Sequence, residues 1–575
     1  MRVEQVSDLP LLADHLKRCD LSSLLDEYFP DHGLWKGISG GQVGIGWLLY
    51  ILSQGDHRLS HVEDWADLHI RTLKALLGVP KLRSIDFCDD RLGRLLDRYS
   101  SEDRWYAFEQ ALGERLLQIY PLQTPVQGRE SGIEVVRTDS FNAPQFRPKG
   151  ELFTHGYSKQ RRSDQPFCKV MVSSLDPLSM PLAVEIVKGS GPDANHYVPI
   201  INRVRSTLKT SGNLYVGDSQ LGSLANRMEI ARNSDYYLCP LNRKQCSAEQ
   251  LNSYLGQVPW PVEELPSLFT EEEATRKPAY FYEISEVTKM QGPKQEWEER
   301  RLLVYSPEYA KGLVTSFNNR IGEAEVSIRN LVISKTGRRN PKTLKALHGR
   351  IASILAKYRV VEYFEIHCSQ TSQYHAVQKH KDRAAEQRET ITLHLNIKRN
   401  EAEIKQKQQR LGWQIYATNA PAQLIGATEL VKNYRNEYRI EHLFDYFINR
   451  DVGLLPIYLK KTSRVKGLIR LLSIAMRFYT LIQHQARTKL ASNKVQIKGV
   501  YPGNKNRKTT NPTSPMILRA FRGIAVVWIK SQDGEKVQMT ELNPNQQKIL
   551  SLVAEQNVYQ QFLDLLQTGT HLRET

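Results

Sequence analysis

The chain has 575 residues and a formal net charge of +17, with 79 Lys and Arg against 62 Asp and Glu. That length excludes one compact domain and predicts roughly three or four. Hydrophobic residues make up 40% of the chain, which excludes wholesale disorder, and the basic excess predicts a polyanionic partner, either nucleic acid or an acidic membrane surface.

The cysteines and the apolar runs indicate the redox compartment and help to choose between the two polyanionic partners. The six cysteines are scattered and none forms a CxxC pair, so we expect no structural zinc site and a reducing, cytoplasmic environment. Residues 1–8 lack a signal-peptide pattern. The longest apolar run, residues 43–52, is about half the ~20 residues that a bilayer demands. The expected polyanion is therefore nucleic acid, with no membrane partner.

Residues 1–128 predict a helical N-terminal domain. Apolar residues recur there at helical spacing, and residues 121–132, rich in Pro, Gln and Gly, read as a linker. Such a domain could bind DNA ends, dimerise or simply pack, and the residues alone favour none of these roles.

Residues 129–245 predict the first part of a catalytic domain, in the order β-β-β-α-β-α-β. The first strand ends at Asp139, and the fourth ends where Asp218 follows a short buried run. This order predicts an α/β protein with a ribonuclease H-like mixed sheet, in which the first and fourth strands lie side by side. Asp139 and Asp218 would then reach one metal ion at the edge of the sheet where chemistry is usually placed.

The remaining chain divides into three predicted parts. Residues 246–425 form a large insertion, and residues 426–482 form the second part of the catalytic domain, with one helix over 434–449 and another over 468–482. Residues 483–575 form a basic, mainly helical C-terminal region.

A long window without acidic residues indicates a surface for DNA. Residues 452–532 hold sixteen Lys and Arg and no Asp or Glu, with aromatic residues interleaved. Such a surface neutralises phosphates largely without regard to base sequence. We predict DNA contacts at Lys460, Lys461 and Arg464, and a merely solvated basic face is the alternative.

The chain resembles the DDE transposases of bacterial insertion sequences, in the group with the YREK signature. The resemblance covers nearly the whole chain, and any one motif is modest, whereas their order and spacing are specific. One motif is Ile440-Glu441, followed after two residues by Phe444. The motifs occupy residues 137–141, 155–159, 176–182, 216–219, 236–241, 434–444 and 455–458.

The resemblance implies a site and an activity. It implies Asp139, Asp218 and Glu441 as a triad that binds Mg²⁺, with Mn²⁺ as an alternative, because hard cations prefer oxygen ligands. It implies a two-metal mechanism that cleaves element ends and transfers the strand into target DNA. The partners would be double-stranded DNA, both terminal inverted repeats and target, and a second copy of the chain on paired ends. The protein would be cytoplasmic and associated with a bacterial nucleoid.

The signature departs from the family pattern at two positions. Counted from Tyr434, Glu437 stands where the family has Arg, and Ile448 stands where it has Lys. Arg435 and Arg439 lie close to the missing Arg and are candidate DNA contacts. Glu437 is the runner-up for the third carboxylate.

Further DNA contacts are expected around the site. Tyr434 would contact a phosphate near the cut, with helix packing as the alternative. His155 and Lys159 follow the first strand and would contact DNA near the metal ions, with an ordinary exposed basic loop as the alternative. Two other functions stay open for the whole protein: a DNA-binding protein without catalysis, either decayed or domesticated, and a ribonuclease H-like nuclease that cuts but does not join.

Overall fold

The computed structural model describes most of the chain, in two compact units. The described residues are 1–120, 122, 133–146, 151–156, 164–259, 261–268, 279–292, 296–333, 340–377, 386–449, 452–532 and 534–568. The first unit comprises residues 1–239, 289–299 and 418–575, and the second comprises residues 240–288 and 300–417.

The strands and helices alternate along much of the chain. The strands are β1 Arg2–Gln5, β2 Val135–Pro144, β3 Phe167–Leu175, β4 Met180–Lys188, β5 Leu214–Gly217, β6 Tyr236–Pro240, β7 Tyr280–Glu283, β8 Thr288–Gln291, β9 Glu296–Tyr305, β10 Phe364–Val377, β11 Glu386–Arg399, β12 Trp413–Thr418, β13 Ala525–Ser531 and β14 Gly534–Met539. The helices are α1 Leu9–Arg18, α2 Leu21–Tyr28, α3 Gly40–Gln54, α4 Val62–Leu68, α5 Ile70–Leu77, α6 Asp89–Tyr99, α7 Glu102–Ile119, α8 Ala194–Leu208, α9 Leu224–Arg232, α10 Ala248–Leu255, α11 Pro307–Arg329, α12 Leu344–Tyr358, α13 Glu401–Arg410, α14 Ala427–Arg435, α15 Tyr438–Ile448, α16 Thr462–Ser492, α17 Ser514–Arg519, α18 Pro544–Val553 and α19 Val558–Gln567.

The first unit contains a mixed sheet with the strand order β4-β3-β2-β5-β6. Strands β2, β3 and β4 are antiparallel neighbours, whereas β5 runs parallel to β2 on its other side and β6 runs parallel to β5. The element order β2-β3-β4-α8-β5-α9-β6 confirms the predicted succession. Strand β5 is buried along its whole length, as its apolar residues require.

Two predicted elements were wrong in detail. Asp139 lies inside β2, which continues to Pro144 because residues 140–144 keep pairing with β3. The single helix predicted over 434–449 is broken, since α14 ends at Arg435 and α15 begins at Tyr438.

The two ends of the chain also contain strands where helices were predicted. Arg2 of β1 pairs antiparallel with Trp528 of β13, and β13 pairs with β14, so the first and last parts of the chain share one sheet. Strand β13 is rich in β-branched and aromatic residues, and Val526 and Trp528 are buried two positions apart. That period of two favours a strand over a helix.

Helix α16 is the buried centre of the first unit. Its residues from Gly467 to Ile482 are buried, including two arginines. Arg470 donates to the carbonyl oxygen of Tyr99 at 2.7 Å, and Arg477 donates to the Glu109 carboxylate at 2.9 Å. These partners satisfy charges that would otherwise be costly to bury.

Gly467 lets α16 approach α6 closely. A Cβ at this position would overlap the backbone carbonyl of Leu96. We therefore expect Gly467→Ala to lower the free energy of unfolding by about 1–3 kcal/mol, because a packed backbone cannot yield cheaply. Urea unfolding of the purified protein measures this loss.

Gly312 in α11 is the matched control for that substitution. A Cβ there would meet nothing within 4 Å. Gly312→Ala should be neutral or stabilise its helix by up to about 1 kcal/mol, because alanine is the better helix former. An unchanged unfolding midpoint in Gly467→Ala would contradict the close approach of α6 and α16.

The second unit has its own core and its own strands. Helices α11 and α12 pack with residues of β10, β11 and α13 around a cluster that includes Phe317, Leu347 and Ile397. Residues 302–305 of β9 pair antiparallel with β7. Strands β10 and β11 form a long antiparallel hairpin. Within the described residues of both units, no helix combines the length and apolar character that a bilayer crossing needs.

Candidate active site

Two aspartates follow paired positions on neighbouring parallel strands. Thr138 of β2 pairs with Gly217 of β5, so Asp139 and Asp218 each stand one residue beyond that pair. The prediction that these strands lie side by side is confirmed. Both aspartates are half-buried and line one small cavity at this edge of the sheet.

The Asp218 carboxylate is oriented by a buried tyrosine. Its Oδ1 accepts a hydrogen bond from the Tyr197 hydroxyl at 2.8 Å and another from the Gln220 amide at 2.8 Å. Burial, together with the negative charges of Asp218 and Asp139, raises the pKa of Tyr197 well above its usual value, so the hydroxyl stays a neutral donor.

A glycine makes this contact fit. A Cβ on Gly217 would lie 3.1 Å from the Tyr197 ring and 2.9 Å from the side chain of Leu221. Tyr197 was not predicted as part of the site, because the partner of its hydroxyl lies 21 residues away and carries no local signal.

The break between α14 and α15 brings a third acid to the cavity. Glu437 is the residue that precedes α15. Tyr434, Glu437 and Ile440 line the same cavity as the two aspartates. Glu441, the third acid that the resemblance implies, lies one turn further along α15, is exposed and is not among the residues lining the cavity.

Negative charge is concentrated around Glu437. Burial raises the pKa of its carboxyl from 4.5 to about 7, and the charges of Asp139, Glu441 and Asp218 add to the rise, whereas Arg137 opposes it. Four carboxyl groups therefore act on one another across this edge of the sheet. A bound cation would relieve this repulsion.

Two arginines are held beside the acids by one buried aspartate. Asp176, in the turn between β3 and β4, accepts from Arg137 Nε at 2.8 Å and pairs with Arg439 Nη1 at 3.1 Å. Arg137 also donates to the backbone carbonyl of Asn433, at the end of α14. These bonds fix α14, α15 and β2 with respect to one another. Arg439, a predicted DNA contact, thus has a carboxylate partner in the protein.

The other residues predicted to contact DNA near the acids have different placements. Tyr434 lines the cavity, and Arg435 is half-buried in the last turn of α14. His155 is exposed. Lys159 lies outside the described residues. Their roles in DNA contact stay predictions.

Two of the three predicted contacts in the basic window pair with an acid of α6. Lys461 Nζ lies 3.0 Å from Asp97 Oδ1, and Arg464 Nε lies 3.3 Å from Asp97 Oδ2. Lys460 is exposed. The charge of this part of the window is therefore partly balanced inside the first unit.

The acids fit a hard divalent cation in chemistry and in charge. Carboxylate oxygens are the ligands that Mg²⁺ prefers, and it commonly binds through one or two carboxylates with water and substrate oxygens completing the shell. Within the part of the chain that the structure describes, no three His, Cys, Asp or Glu side chains are grouped closely enough to hold one ion. Asp139, Asp218 and Glu437 are the acids that line the cavity.

Comparisons with known proteins find a likeness among solved structures. No protein-family model matches the chain, and no curated protein matches it. Among solved structures, the chain is similar to a piggyBac transposase in a synaptic complex with hairpin DNA, determined by cryo-EM. The TM-score is 0.35 at 9% sequence identity, and the match covers 98% of this chain and 85% of that chain. A likeness at this level carries no argument about this chain, so the site itself must support any function.

Proposed function

We propose that the chain is a transposase that cleaves the ends of a DNA element and joins them to target DNA with the help of divalent cations. One observation carries the proposal: Asp139 and Asp218 follow paired residues of adjacent parallel strands and line one cavity with Glu437. Such a concentration of carboxylates, with the pKa of Glu437 raised by burial and by the charges of its neighbours, is typical of catalytic cation sites.

A ribonuclease H-like fold for the first unit is part of the proposal. It is supported by three antiparallel strands followed by two parallel strands joined through helices, in the order β4-β3-β2-β5-β6. In open α/β sheets, sites form at strand ends where the order of strands reverses. Asp218 directly follows β5, and Asp139, inside β2, lies one residue beyond the last pair of β2 with β5.

Each side chain of the site has a distinct role in the proposed reaction. Mg²⁺, or Mn²⁺ in its place, would supply charge stabilisation at phosphorus and activation of the attacking water. Asp139 and Asp218 would hold the cations, and the Tyr197 hydroxyl keeps Asp218 in one orientation. Asp176 binds the buried Arg137 and also Arg439, whose partly exposed guanidinium can face a DNA phosphate.

The third acid comes from the start of α15. Glu441 is the residue implied by the family resemblance, and Glu437 is the residue that lines the cavity. We propose Glu437 for this role, with Glu441 reinforcing the negative field from the next turn. Catalysis on two element ends would engage a second copy of the chain.

A DNA-binding protein without catalysis is the second candidate. It is favoured by the absence, among the described residues, of three acids grouped closely enough for one ion, and by Glu437 and Ile448 at the signature positions of Arg and Lys. Such a protein would bind the repeats with or without Mg²⁺ and would cut nothing.

Cleavage of a supercoiled plasmid tests the proposed function. The plasmid carries the inverted repeats that flank the coding region, and the expected result is nicked and linear DNA that appears only with Mg²⁺ or Mn²⁺. A plasmid without the repeats is the control. Binding without any cleavage would contradict the proposal and favour the second candidate.

Strand transfer needs a second assay. Pre-cleaved repeat ends with free 3′-hydroxyls are incubated with a target plasmid, and joined products are expected. Cleavage in the first assay without joining in the second would identify a nuclease.

A further inference from the structure

A second, larger cavity lies beside the acids in the first unit. It has a volume of about 580 Å³, within the range of small-molecule sites. It is bounded by the turn at residues 177–179, one face of α15, the C-terminal half of α16 and the segment 510–515.

The lining of this cavity suits an anion with an aromatic part. Two arginines, two histidines and three tyrosines contribute to it, and none of the described residues that line it is Asp or Glu. These seven side chains are Arg439, Arg487, His442, His484, Tyr438, Tyr446 and Tyr479. A wall of cations and aromatic rings without carboxylates would attract a phosphate and stack a base.

Arg487 is the least compensated cation of this wall. Its Nε donates to the carbonyl oxygen of Pro512 at 2.9 Å, and no carboxylate of the described residues pairs with it. Burial lowers the pKa of its guanidinium, and the nearby hydroxyls of Tyr446 and Tyr438 oppose that shift only in part. A half-buried cation without a counter-charge is costly for the free protein.

Other arginines of α16 are treated differently. Arg477 pairs with Glu109 at 2.9 Å, and Arg464 lies 3.3 Å from Asp97. Arg470 donates to backbone carbonyls, and the carboxylates of Glu109, Glu102 and Glu185 lie near enough to act on its charge. Arg439, across the cavity, pairs with Asp176. The fold therefore supplies acids to neighbouring arginines and leaves the surroundings of Arg487 without one, which points to a counter-charge from a ligand.

Helix α15 connects this cavity to the acids. Its first turn presents Ile440 to the acid cavity, while Tyr438, His442 and Tyr446 line the larger one. A strand that reaches the acids could continue along α15 into the larger cavity, whose described lining holds no acid.

We propose that this cavity binds one nucleotide unit of a DNA strand, with its phosphate on Arg487 and its base against the tyrosines of α15. The proposal rests on the proposed function for the choice of DNA, whereas the anion site rests on Arg487 and the acid-free lining alone.

Binding of a labelled single-stranded oligothymidine, roughly ten nucleotides long, tests the site by fluorescence anisotropy. EDTA is present throughout, so that no cleavage contributes. Arg487→Gln is expected to raise Kd at least about tenfold and to reduce the slope of log K against log salt by about 0.7, the value for one phosphate of a single strand. Lys489→Gln is the matched control, since Lys489 is on the same helix and donates to the carbonyl of Ser551 outside the cavity. Its slope should equal that of the wild type.

A second variant covers the case in which Arg487→Gln does not fold. Ala491 is exposed on α16, lines the cavity and lies one turn beyond Arg487. Ala491→Glu places a carboxylate where the ligand phosphate would bind, so the melting temperature should rise and Kd should rise at least about tenfold. Ala491→Gln should leave both unchanged. Wild-type affinity in Ala491→Glu would overturn the proposal.

Competition identifies the ligand, and the plasmid assay separates the two proposals. Inorganic phosphate and thymidine monophosphate should displace the oligonucleotide only at far higher concentrations, and displacement at comparable concentrations would overturn the assignment to a strand. If the protein cleaves the plasmid but Arg487→Gln binds the oligonucleotide as tightly as the wild type, the nucleotide site is ruled out and the proposed catalysis stands. Arg487-dependent binding without plasmid cleavage would support this site and end the proposed catalysis.

Discussion

Asp139→Asn and Asp218→Asn should each lower cation-dependent nicking at least about 100-fold, while binding of the repeats persists. Loss of a residue that merely orients a metal ligand already costs about 10–100-fold, so loss of a ligand should cost at least the upper value. Asparagine keeps the size of the side chain and one oxygen, which limits the change to charge and coordination. The measurement is the initial rate of nicked-circle formation at saturating protein.

Asp445→Asn is the matched control for these two substitutions. Asp445 is a half-buried acid of α15 that does not line the acid cavity. Its replacement should leave the nicking rate within about threefold, because charges outside the cavity are screened by solvent. Equal losses in all three variants would mean that the cavity has no special role.

Cation binding can be followed without any cleavage. A ligand at 100 times its Kd stabilises the folded protein by about 2.7 kcal/mol, so Mg²⁺ should raise the melting temperature of the wild type. The same rise should be absent in Asp139→Asn and in Asp218→Asn. A rise that survives both substitutions would place the cation elsewhere.

The adjacency of the two aspartates could be predicted because it follows from element order. Three strands, a crossover helix and a fourth strand constrain which strands become neighbours. The residue at which β2 ends could not be predicted in the same way. Asp139 lies within that strand because residues beyond it pair with β3, and pairing with a partner strand is a tertiary property.

Residues 452–532, the basic window, show that composition alone does not tell which charged side chains are free to contact DNA. Its lack of acids predicted a DNA contact face, and two of its residues instead pair with Asp97 of α6, while Arg477 pairs with Glu109 of α7. The compensating acids lie more than 360 residues earlier in the chain. Local charge counting cannot detect such partners. Arg487, by contrast, has no carboxylate partner among the described residues.

The role of Glu437 depends on a helix break that the apolar spacing concealed. The apolar residues at 440, 443, 444 and 447 are helix-spaced, and nothing in the sequence marks an interruption at 436–437, so one helix over 434–449 was predicted. By sequence count from Tyr434, Glu437 occupies the position at which the family signature has an arginine. With α15 beginning at Tyr438, Glu437 instead precedes the helix and faces Asp139 and Asp218.

Glu437→Gln and Glu441→Gln should therefore differ in both stability and nicking. The pKa of Glu437 is raised from 4.5 to about 7 in the folded protein. Below pH 4.5 the Glu437 carboxyl is protonated in both the folded and the unfolded state, so it does not lower the free energy of unfolding. As the pH rises from 4.5 to 7, the unfolded chain releases this proton first, so the folded state loses stability, and the full loss is present above pH 7. Glutamine removes this loss.

In the cation-free protein, Glu437→Gln should raise the free energy of unfolding at pH 8 by about 1–2 kcal/mol and change little at pH 4. A difference of one pKa unit corresponds to about 1.4 kcal/mol, and solvent screening of the partly exposed carboxyl reduces the effect on the free energy of unfolding. Urea unfolding in EDTA at both pH values measures it. Glu441→Gln, at an exposed position, should have a smaller effect at pH 8 because it removes only a neighbouring charge.

With Mg²⁺ present, the same two variants should separate as cation ligands. Glu437→Gln should lose most nicking and most of the thermal stabilisation by Mg²⁺, because its carboxylate lines the cavity with both aspartates. Glu441→Gln should keep most of both. The reverse ranking would assign the third acid to Glu441, as the family resemblance implies, and would require α15 to shift when the cation binds, since Glu441 is exposed outside the cavity in the free protein.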